Sequence, residues 1–146
     1  MEQRYLPTFY DMKYKKIRPY KYITLDPYTW YDCRLYGKSA SLPGIMSLNE
    51  SGCLQIAAGY AWDGASGPTI DTRNSMIASL VHDALYQLIR EEQLPAGARR
   101  AADRCLREIA IHKGMNRGRA WSWYYAVRLF GRKAAKPRTP EQEKDA

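Results

Sequence analysis

The clearest periodic segment in this chain of 146 residues is Ile77-Ala78-Ser79-Leu80-Val81-His82-Asp83-Ala84-Leu85-Tyr86-Gln87-Leu88. Its apolar side chains recur at intervals of three, four and seven residues, which is the pattern of an amphipathic α-helix. Asn74 or Ser75 can cap the start of this helix, and the pattern continues to about Arg90. We therefore expect a long helix that carries a His-Asp pair in its middle.

Two further helices are predicted downstream. Leu94-Pro95-Ala96-Gly97 interrupts the pattern, and apolar residues at helical spacing then predict a second helix from about residue 98 to residue 114. A third is expected from about Arg117 to Phe130. The remaining residues, 133–146, include two prolines and no large apolar side chain, which is typical of disorder. The sequence thus predicts one globular domain over residues 1–132 and a disordered tail over 133–146.

The first part of the chain is predicted to be mostly β-structure. Residues 20–25 alternate polar and apolar side chains at the strand period, and a second strand is expected at 53–58 after a turn at 49–52. Residues 59–72 are rich in Gly, Ser, Pro and Asp and fit neither period, so they predict a loop. Strands followed by helices predict an α+β fold.

The net charge of the chain indicates which classes of partner it could bind. The chain has 23 Lys and Arg against 15 Asp and Glu, a formal net charge of +8, which suits an anionic partner such as phospholipid head groups or nucleic acid. No nucleic-acid recognition motif is present, so nucleic acid is the less favoured partner. No apolar run approaches the length of a membrane span and no signal peptide is recognisable, which predicts a cytoplasmic protein. Three cysteines without a CxxC pair indicate neither a disulfide framework nor a zinc ribbon.

The residues best suited to chemistry are Asp63-Gly64-Ala65-Ser66 in the loop, His82-Asp83 on the first helix and Asp103 on the second. Helices joined by a short linker pack antiparallel, which can bring Asp103 against the His82 ring. Asp103 would then fix the tautomer of His82, whose other ring nitrogen would take a proton from water attacking a carbonyl. Asp83 and the glycine-containing loop would hold a hard cation such as Ca²⁺.

Two other interpretations of these residues remain open. In the first, His82, Asp83 and another aspartate ligate a transition metal, as in phosphohydrolases with an HD signature; such sites need further histidines, and only His112 remains. In the second, Asp103 holds His82 only to satisfy two buried polar groups, while Asp63 and Ser66 make turn hydrogen bonds. Asp71 is interpreted as a capping or turn residue before the first helix.

His82-Asp83-Ala84-Leu85-Tyr86 resembles the H-D-x-x-Y helix motif of secreted phospholipases A2, and Asp63-Gly64-Ala65-Ser66 is similar to the D-G-C-S loop of their bacterial and fungal branch. The resemblance covers about 45 residues. It implies that His82 is the general base, that Asp103 orients it, and that Asp63, Asp83 and the Gly64 carbonyl bind calcium. The cysteines that staple the phospholipase helices are absent, and Ala65 replaces the loop cysteine.

A second resemblance covers most of the chain. Four segments resemble the DUF1353 family of small bacteriophage and prophage proteins: Gly59-Tyr60-Ala61-Trp62-Asp63-Gly64-Ala65-Ser66, Leu80-Val81-His82-Asp83-Ala84-Leu85-Tyr86, Ala101-Ala102-Asp103 and Trp123-Tyr124-Tyr125-Ala126-Val127-Arg128-Leu129-Phe130-Gly131. It implies a phage source. The expected location of the protein is the host bacterial cytoplasm or the virion. The expected function is a calcium-assisted hydrolase of phospholipid esters; the alternative is a non-catalytic phage structural or host-interaction protein.

The aromatic run at residues 121–125 also has two interpretations. Its side chains can form a core face, or they can join Arg117, Arg119, Arg128, Arg132 and Lys133 in a basic amphipathic surface for membranes. Core burial is favoured, with these basic residues on the outer side. The arginines between residues 99 and 107 are expected on a solvated helix face.

Overall fold

The computed structural model describes residue 12 and residues 14–18, 21–64 and 73–137. Within these residues, short strands come first and three packed helices follow. The fold is therefore α+β, as the sequence predicts.

The strands form two antiparallel sheets. The first sheet has the order β1-β2-β7, with β1 at Tyr14–Arg18, β2 at Lys21–Thr24 and β7 at Ala61–Trp62. The second has the order β3-β6-β5-β4, and its four strands are Tyr28–Trp30, Ala40–Leu42, Met46–Leu48 and Leu54–Ile56 in chain order from β3 to β6. In β6 the apolar side chains of Leu54 and Ile56 are buried and Gln55 between them is exposed, which is the alternation expected of a strand with one face on the core.

The helices are α1 at Arg73–Arg90, α2 at Arg99–His112 and α3 at Arg117–Phe130. The bounds of α3 agree with the prediction. Helix α1 starts at Arg73, so Asn74 and Ser75 lie in its first turn and the predicted cap position was wrong. A short 3-10 turn at Ala96–Ala98 connects α1 to α2, where proline and glycine predicted a break.

The core lies where the three helices meet the buried faces of the strands. Its largest fully buried side chains include Leu80 and Leu85 of α1, Leu106 and Ile109 of α2, and Trp123 of α3. Most of these are aliphatic, so the one fully buried carboxylate of the described residues, Asp103, lies among apolar neighbours. An ionised group in such a place needs strong compensation.

A short 3-10 turn lies at the point where the predicted tail begins. Arg132–Ala135 form a 3-10 turn, Ala135 is buried, and Arg90 of α1 donates a hydrogen bond to the carbonyl of Ala134. Residues 138–146 lie outside the described residues. In the part of the chain that is described, no helix has both the length and the apolar content needed to cross a bilayer. The cysteines at 33, 53 and 105 are all free thiols.

Candidate functional site

A histidine–aspartate pair joins α1 to α2. The Nε2 atom of His82 lies 2.7 Å from Oδ1 of Asp103, so the contact expected from antiparallel packing of the two helices is present. Both residues are buried: His82 is 6% exposed and Asp103 is fully buried. The other ring nitrogen, Nδ1, faces the carboxylate of Asp83, with 3.8 Å between Nδ1 and Oδ1.

Asp103 has polar partners from all three helices. Tyr86 of α1 donates its hydroxyl to Oδ1 at 2.6 Å, and Arg128 of α3 donates from Nη1 to Oδ2 at 2.7 Å. Arg99, one turn before Asp103 on α2, lies 3.5 Å from Oδ2 and also donates to the Tyr86 hydroxyl at 3.2 Å. Buried charges are stable when they are paired and hydrogen-bonded in this way. The carboxylate thus fastens the three helices to one another at the site.

The hydrogen bonds at Asp103 set the protonation of the pair. Burial by itself raises the pKa of Asp103, but the hydrogen bonds from His82, Tyr86 and Arg128 outweigh it and hold that pKa below its usual value. Burial likewise lowers the pKa of His82, but the hydrogen bond to Asp103 and the nearby charge of Asp83 outweigh it and raise that pKa. Asp103 is therefore a stable anion and His82 is a stronger base than an ordinary histidine.

Carboxylates lie next to the exposed side of this pair. The side chain of Asp83 is 40% exposed, and Asp63 at the end of β7 is exposed as well. Desolvation raises the pKa of Asp83, the hydrogen bond and charge of His82 lower it, and the negative charge of Asp63 adds to the rise. Gly64 follows in the left-handed conformation with φ of 84°, which favours glycine.

Two hydrogen bonds, one from Tyr60 and one from Trp62, join the segment before Asp63 to α1. The indole Nε1 of Trp62 donates to Oγ of Ser79 at 3.0 Å, and the hydroxyl of Tyr60 donates to Oε1 of Gln87 at 2.9 Å. Ser79 and Gln87 lie one turn before and one turn after Asp83 on the helix. These two contacts fix the segment before Asp63 against α1, and Asp63 itself follows buried Trp62 with an exposed side chain.

These oxygens fit a hard cation by type. Two carboxylates and a backbone carbonyl are the ligands that Ca²⁺ prefers, whereas Ca²⁺ takes six to eight oxygens in all. Within the described residues no group of three or more His, Cys, Asp or Glu side chains is placed to hold a metal ion. The calcium ligands expected from the sequence, Asp63, Asp83 and the Gly64 carbonyl, therefore do not make up a complete site within the described residues. The rest of the predicted loop, including Ala65, Ser66 and Asp71, lies outside the described residues.

A cleft of about 290 Å³ lies between the β-structure and α1. Its walls are formed by Gly44, Ile45, residues 57–61 and Gln87. His82, Asp63 and Asp83 therefore do not line it. Most of the lining side chains are small, but more of the lining surface is polar than apolar. The Tyr60 hydroxyl and the Gln87 amide, which are hydrogen-bonded to each other, supply polar groups.

Two arginines of the site were not foreseen from the sequence. Arg99 was expected on a solvated helix face and Arg128 on the outer side of α3, and both expectations are wrong because the guanidinium groups turn inward to Asp103. Arg99 also donates to the carbonyls of Val127 and Arg128 in the last turn of α3. The Val127 carbonyl accepts from the backbone N–H of Gly131 as well. The four-residue spacing of Arg99 and Asp103 on one helix is compatible with an ion pair, but no such pair was predicted from it.

The fold and the site define an α+β domain in which a buried histidine–aspartate pair lies beside exposed carboxylates. The family described as Protein of unknown function (DUF1353) matches residues 45–127, more than half of the chain and the part that carries His82 and Asp103. The chain belongs to this family. No curated protein and no solved structure matches it.

Proposed function

We propose that this protein is a phage-encoded, calcium-assisted hydrolase of phospholipid esters, with His82 as general base and Asp103 as its positioning residue. The observation that carries the proposal is the orientation of the imidazole: Nε2 is bound to a buried anion at 2.7 Å, while Nδ1 faces the exposed carboxylate of Asp83. A general base needs one ring nitrogen fixed and the other turned toward the reacting water. The resemblance to the H-D-x-x-Y and D-G-x-S segments of phospholipases A2 supports the same assignment.

Asp103 can be expected to choose the tautomer. Because hydrogen bonds keep its carboxylate ionised, Oδ1 accepts a hydrogen bond from the Nε2–H, and the lone pair of neutral His82 is left on Nδ1. Nδ1 then takes a proton from a water molecule as the water oxygen attacks the ester carbonyl. The imidazolium that forms is stabilised by Asp103 and returns the proton to the leaving alkoxide, so that a free fatty acid and a lysophospholipid result.

Asp63, Asp83 and the Gly64 carbonyl are the residues that would hold calcium. A bound calcium ion supplies positive charge that stabilises the developing oxyanion. All three supply oxygen, the ligand type that Ca²⁺ prefers. The choice of a phospholipid ester rests on the resemblance to phospholipases A2.

The test is release of fatty acid from phospholipid vesicles by the purified protein in the presence of Ca²⁺. We expect release to be abolished by a chelator and to fall at least about 100-fold in His82→Gln, since general-base catalysis contributes factors of that order. His112→Gln is the matched control, because it changes the other histidine, at the exposed end of α2, and should leave release unchanged.

Two results would count against the proposal. One is a folded wild-type protein that binds no Ca²⁺ by calorimetry, and the other is fatty-acid release that persists in His82→Gln. Asp63→Asn and Asp83→Asn add a separate readout, since each should weaken calcium affinity even where no substrate is present. Both carboxylates are at least partly exposed, so these variants should fold.

A second candidate function has its own supporting observation. His82 is only 6% exposed and Asp103 is satisfied by partners from three helices, which is the arrangement of a structural brace. We propose as the alternative a non-catalytic phage protein, either a component of the particle or a factor that binds a host protein. Detection of the chain in purified virions by mass spectrometry, together with no calcium binding and no fatty-acid release, would favour it.

A further inference from the structure

The outer face of α3 carries a row of large apolar side chains in contact with solvent. Trp121, Tyr125 and Leu129 follow one another at intervals of four residues, and Phe130 lies beside Leu129. Their exposed fractions are 40%, 57%, 73% and 80% in chain order. We call these four residues the α3 stripe. The opposite face, with Trp123 and Val127, is buried in the core, so the stripe is an additional apolar surface. Contiguous exposed apolar surface of this kind marks interaction sites.

The charged side chains next to the stripe in sequence are all basic, whereas in space Arg107 of α2, which stacks on Trp121, is paired with Glu108 at 3.7 Å. Residues 114–137 contain six basic side chains and no Asp or Glu: Arg117, Arg119, Arg128, Arg132, Lys133 and Lys136. Arg128 turns inward to Asp103, and the other five are exposed at the two ends of α3. Arg107 of α2 adds a guanidinium stacked on the Trp121 ring, with 4.0 Å between Cζ and the ring centroid. The stripe is thus flanked by cations at both ends.

We propose that the α3 stripe is a docking surface for an anionic phospholipid membrane. Trp and Tyr favour the boundary between head groups and acyl chains, Leu and Phe enter the acyl region, and Lys and Arg reach the head-group phosphates. Helix α3 carries the exposed apolar residues on one face, and the exposed basic residues lie at its two ends. Its length of 14 residues and its buried inner face make it a helix that lies on a membrane and does not cross it.

Charge argues against the other occupants. A second copy of the chain docked face to face would bring five exposed cations against five, without an acidic residue of residues 114–137 to offset them. Nucleic acid fits the charge, but Leu129 and Phe130, the two most exposed members of the stripe, have no role at a phosphate backbone. An anionic lipid surface satisfies both the apolar and the charged side chains.

This surface does not depend on the proposed hydrolysis, although it would bring the enzyme to its substrate. Helix α3 also supplies Arg128 to Asp103, so the docking helix and the His82 site share a buried contact. Binding to lipid and hydrolysis of lipid are nevertheless separate measurements, because binding can be followed with a chelator present and in His82→Gln.

The experiment is co-sedimentation of the full chain with vesicles in a chelating buffer. We expect binding to vesicles of phosphatidylglycerol and phosphatidylethanolamine, little binding to phosphatidylcholine alone, and weaker binding as salt rises. Trp121 supplies a second signal, since the other three tryptophans are buried. Its fluorescence should shift to the blue on binding, and the shift should be absent in Trp121→Phe.

Matched variants separate the stripe from general charge. Leu129→Glu should abolish binding, whereas Leu25→Glu, at a similarly exposed leucine far along the chain, should not. Arg132→Gln combined with Lys133→Gln should weaken binding roughly tenfold or more, at about 1 kcal/mol for each basic side chain near an anionic membrane. Lys15→Gln combined with Lys38→Gln removes the same charge elsewhere on exposed residues and should leave binding largely intact.

Three outcomes would overturn the inference. One is absence of binding to anionic vesicles by folded protein, and another is equal loss of binding in the stripe variants and their controls. The third is a dimer in sedimentation equilibrium that Leu129→Glu dissociates, or tighter binding to DNA than to anionic vesicles, which would assign the stripe to a different occupant. Vesicle binding without fatty-acid release would support the docking surface and reject the proposed hydrolysis.

Discussion

Arg128 of α3 donates a hydrogen bond of 2.7 Å to Oδ2 of Asp103, the carboxylate whose other oxygen binds His82. Residues 25 positions apart therefore cooperate at one buried anion. A carboxylate in an apolar core is stable only while such partners remain, because the protein interior solvates charge poorly. The position of the His82 ring consequently depends on all three helices.

The first prediction concerns Asp103 itself. Asp103→Asn removes the charge and leaves Arg128 and Arg99 facing a neutral amide in a buried place. Breaking one side of a buried ion pair costs about 3–5 kcal/mol, so we expect the free energy of unfolding to fall by roughly 3 kcal/mol in urea denaturation. The control is Glu108→Gln on the same helix, whose partly exposed carboxylate pairs with Arg34 and Arg107. That change should cost less than about 1 kcal/mol. Equal effects of the two changes would contradict a buried ionic brace.

The second prediction is the pH dependence of stability. The pKa of His82 is raised above 6.5 in the folded protein, so its stabilising contribution is complete below pH 6.5 and is lost as the pH rises through the raised value. The pKa of Asp103 is lowered below 3.8, so its contribution is present above pH 3.8 and is lost as the pH falls through the lowered value. Stability should therefore be greatest between these limits.

Urea denaturation across this pH range checks the prediction. His82→Gln should remove most of the loss of stability on the alkaline side, and His112→Gln should leave it in place. The same ionisation governs the proposed catalysis, because His82 acts as a base only when unprotonated. The rate of fatty-acid release should accordingly rise with pH, with a midpoint above 6.5.

Much of this site could be predicted from local sequence, because helical periodicity places His82, Asp83 and Asp103 on two neighbouring helices. The fold class followed from strand alternation and helix periodicity in the same way. The inward orientation of Arg99 and Arg128 could not be predicted from periodicity. A long cationic side chain turns inward only when the buried partners around Asp103 are assembled. An arginine on a helix is ordinarily solvated, and its identity does not reveal a buried partner 25 residues away in sequence.

Each of the two interpretations of the aromatic run at residues 121–125 describes part of it. Trp123 and Tyr124 are buried, as the core interpretation expects, whereas Trp121 and Tyr125 are exposed on the face that a membrane surface would need. The sequence did not separate the two interpretations because α3 is only weakly amphipathic, with large apolar side chains on both of its faces. Periodicity distinguishes one apolar face from a polar one and is weak where both faces are apolar.

The third prediction tests the hydroxyl of Tyr86. Tyr86→Phe removes its hydrogen bond to Asp103 and leaves an N–H of Arg99 with one acceptor fewer. We expect a loss of about 1–3 kcal/mol in the free energy of unfolding. Asp103 then holds more negative charge toward His82, so the pKa of His82 should rise further, measured by NMR of the ring protons. Tyr36→Phe is the control, because it also removes a tyrosine–aspartate hydrogen bond, to Asp32, but at the surface. A rise in both variants would refute the link to His82.

The last prediction concerns Gly131, which follows α3 and touches Tyr86. A Cβ atom there would lie 2.6 Å from the carbonyl oxygen of Val127 and 2.7 Å from the hydroxyl oxygen of Tyr86. The φ of Gly131 is −82°, which any residue adopts, so the cost of Gly131→Ala is steric and not conformational. We expect a loss of about 1–3 kcal/mol from overpacking.

Because the Tyr86 hydroxyl must move away from Asp103 in Gly131→Ala, the NMR pKa of His82 should change together with the stability. Gly97→Ala is the matched control: no atom lies within 4 Å of a Cβ at Gly97, and alanine there should leave stability unchanged or raise it by up to about 1 kcal/mol. Loss of stability in Gly131→Ala with an unchanged His82 titration would mean that the strain is relieved at the end of α3. In that case the strain at Gly131 does not displace the Tyr86 hydroxyl, and Tyr86 does not couple the end of α3 to the pKa of His82.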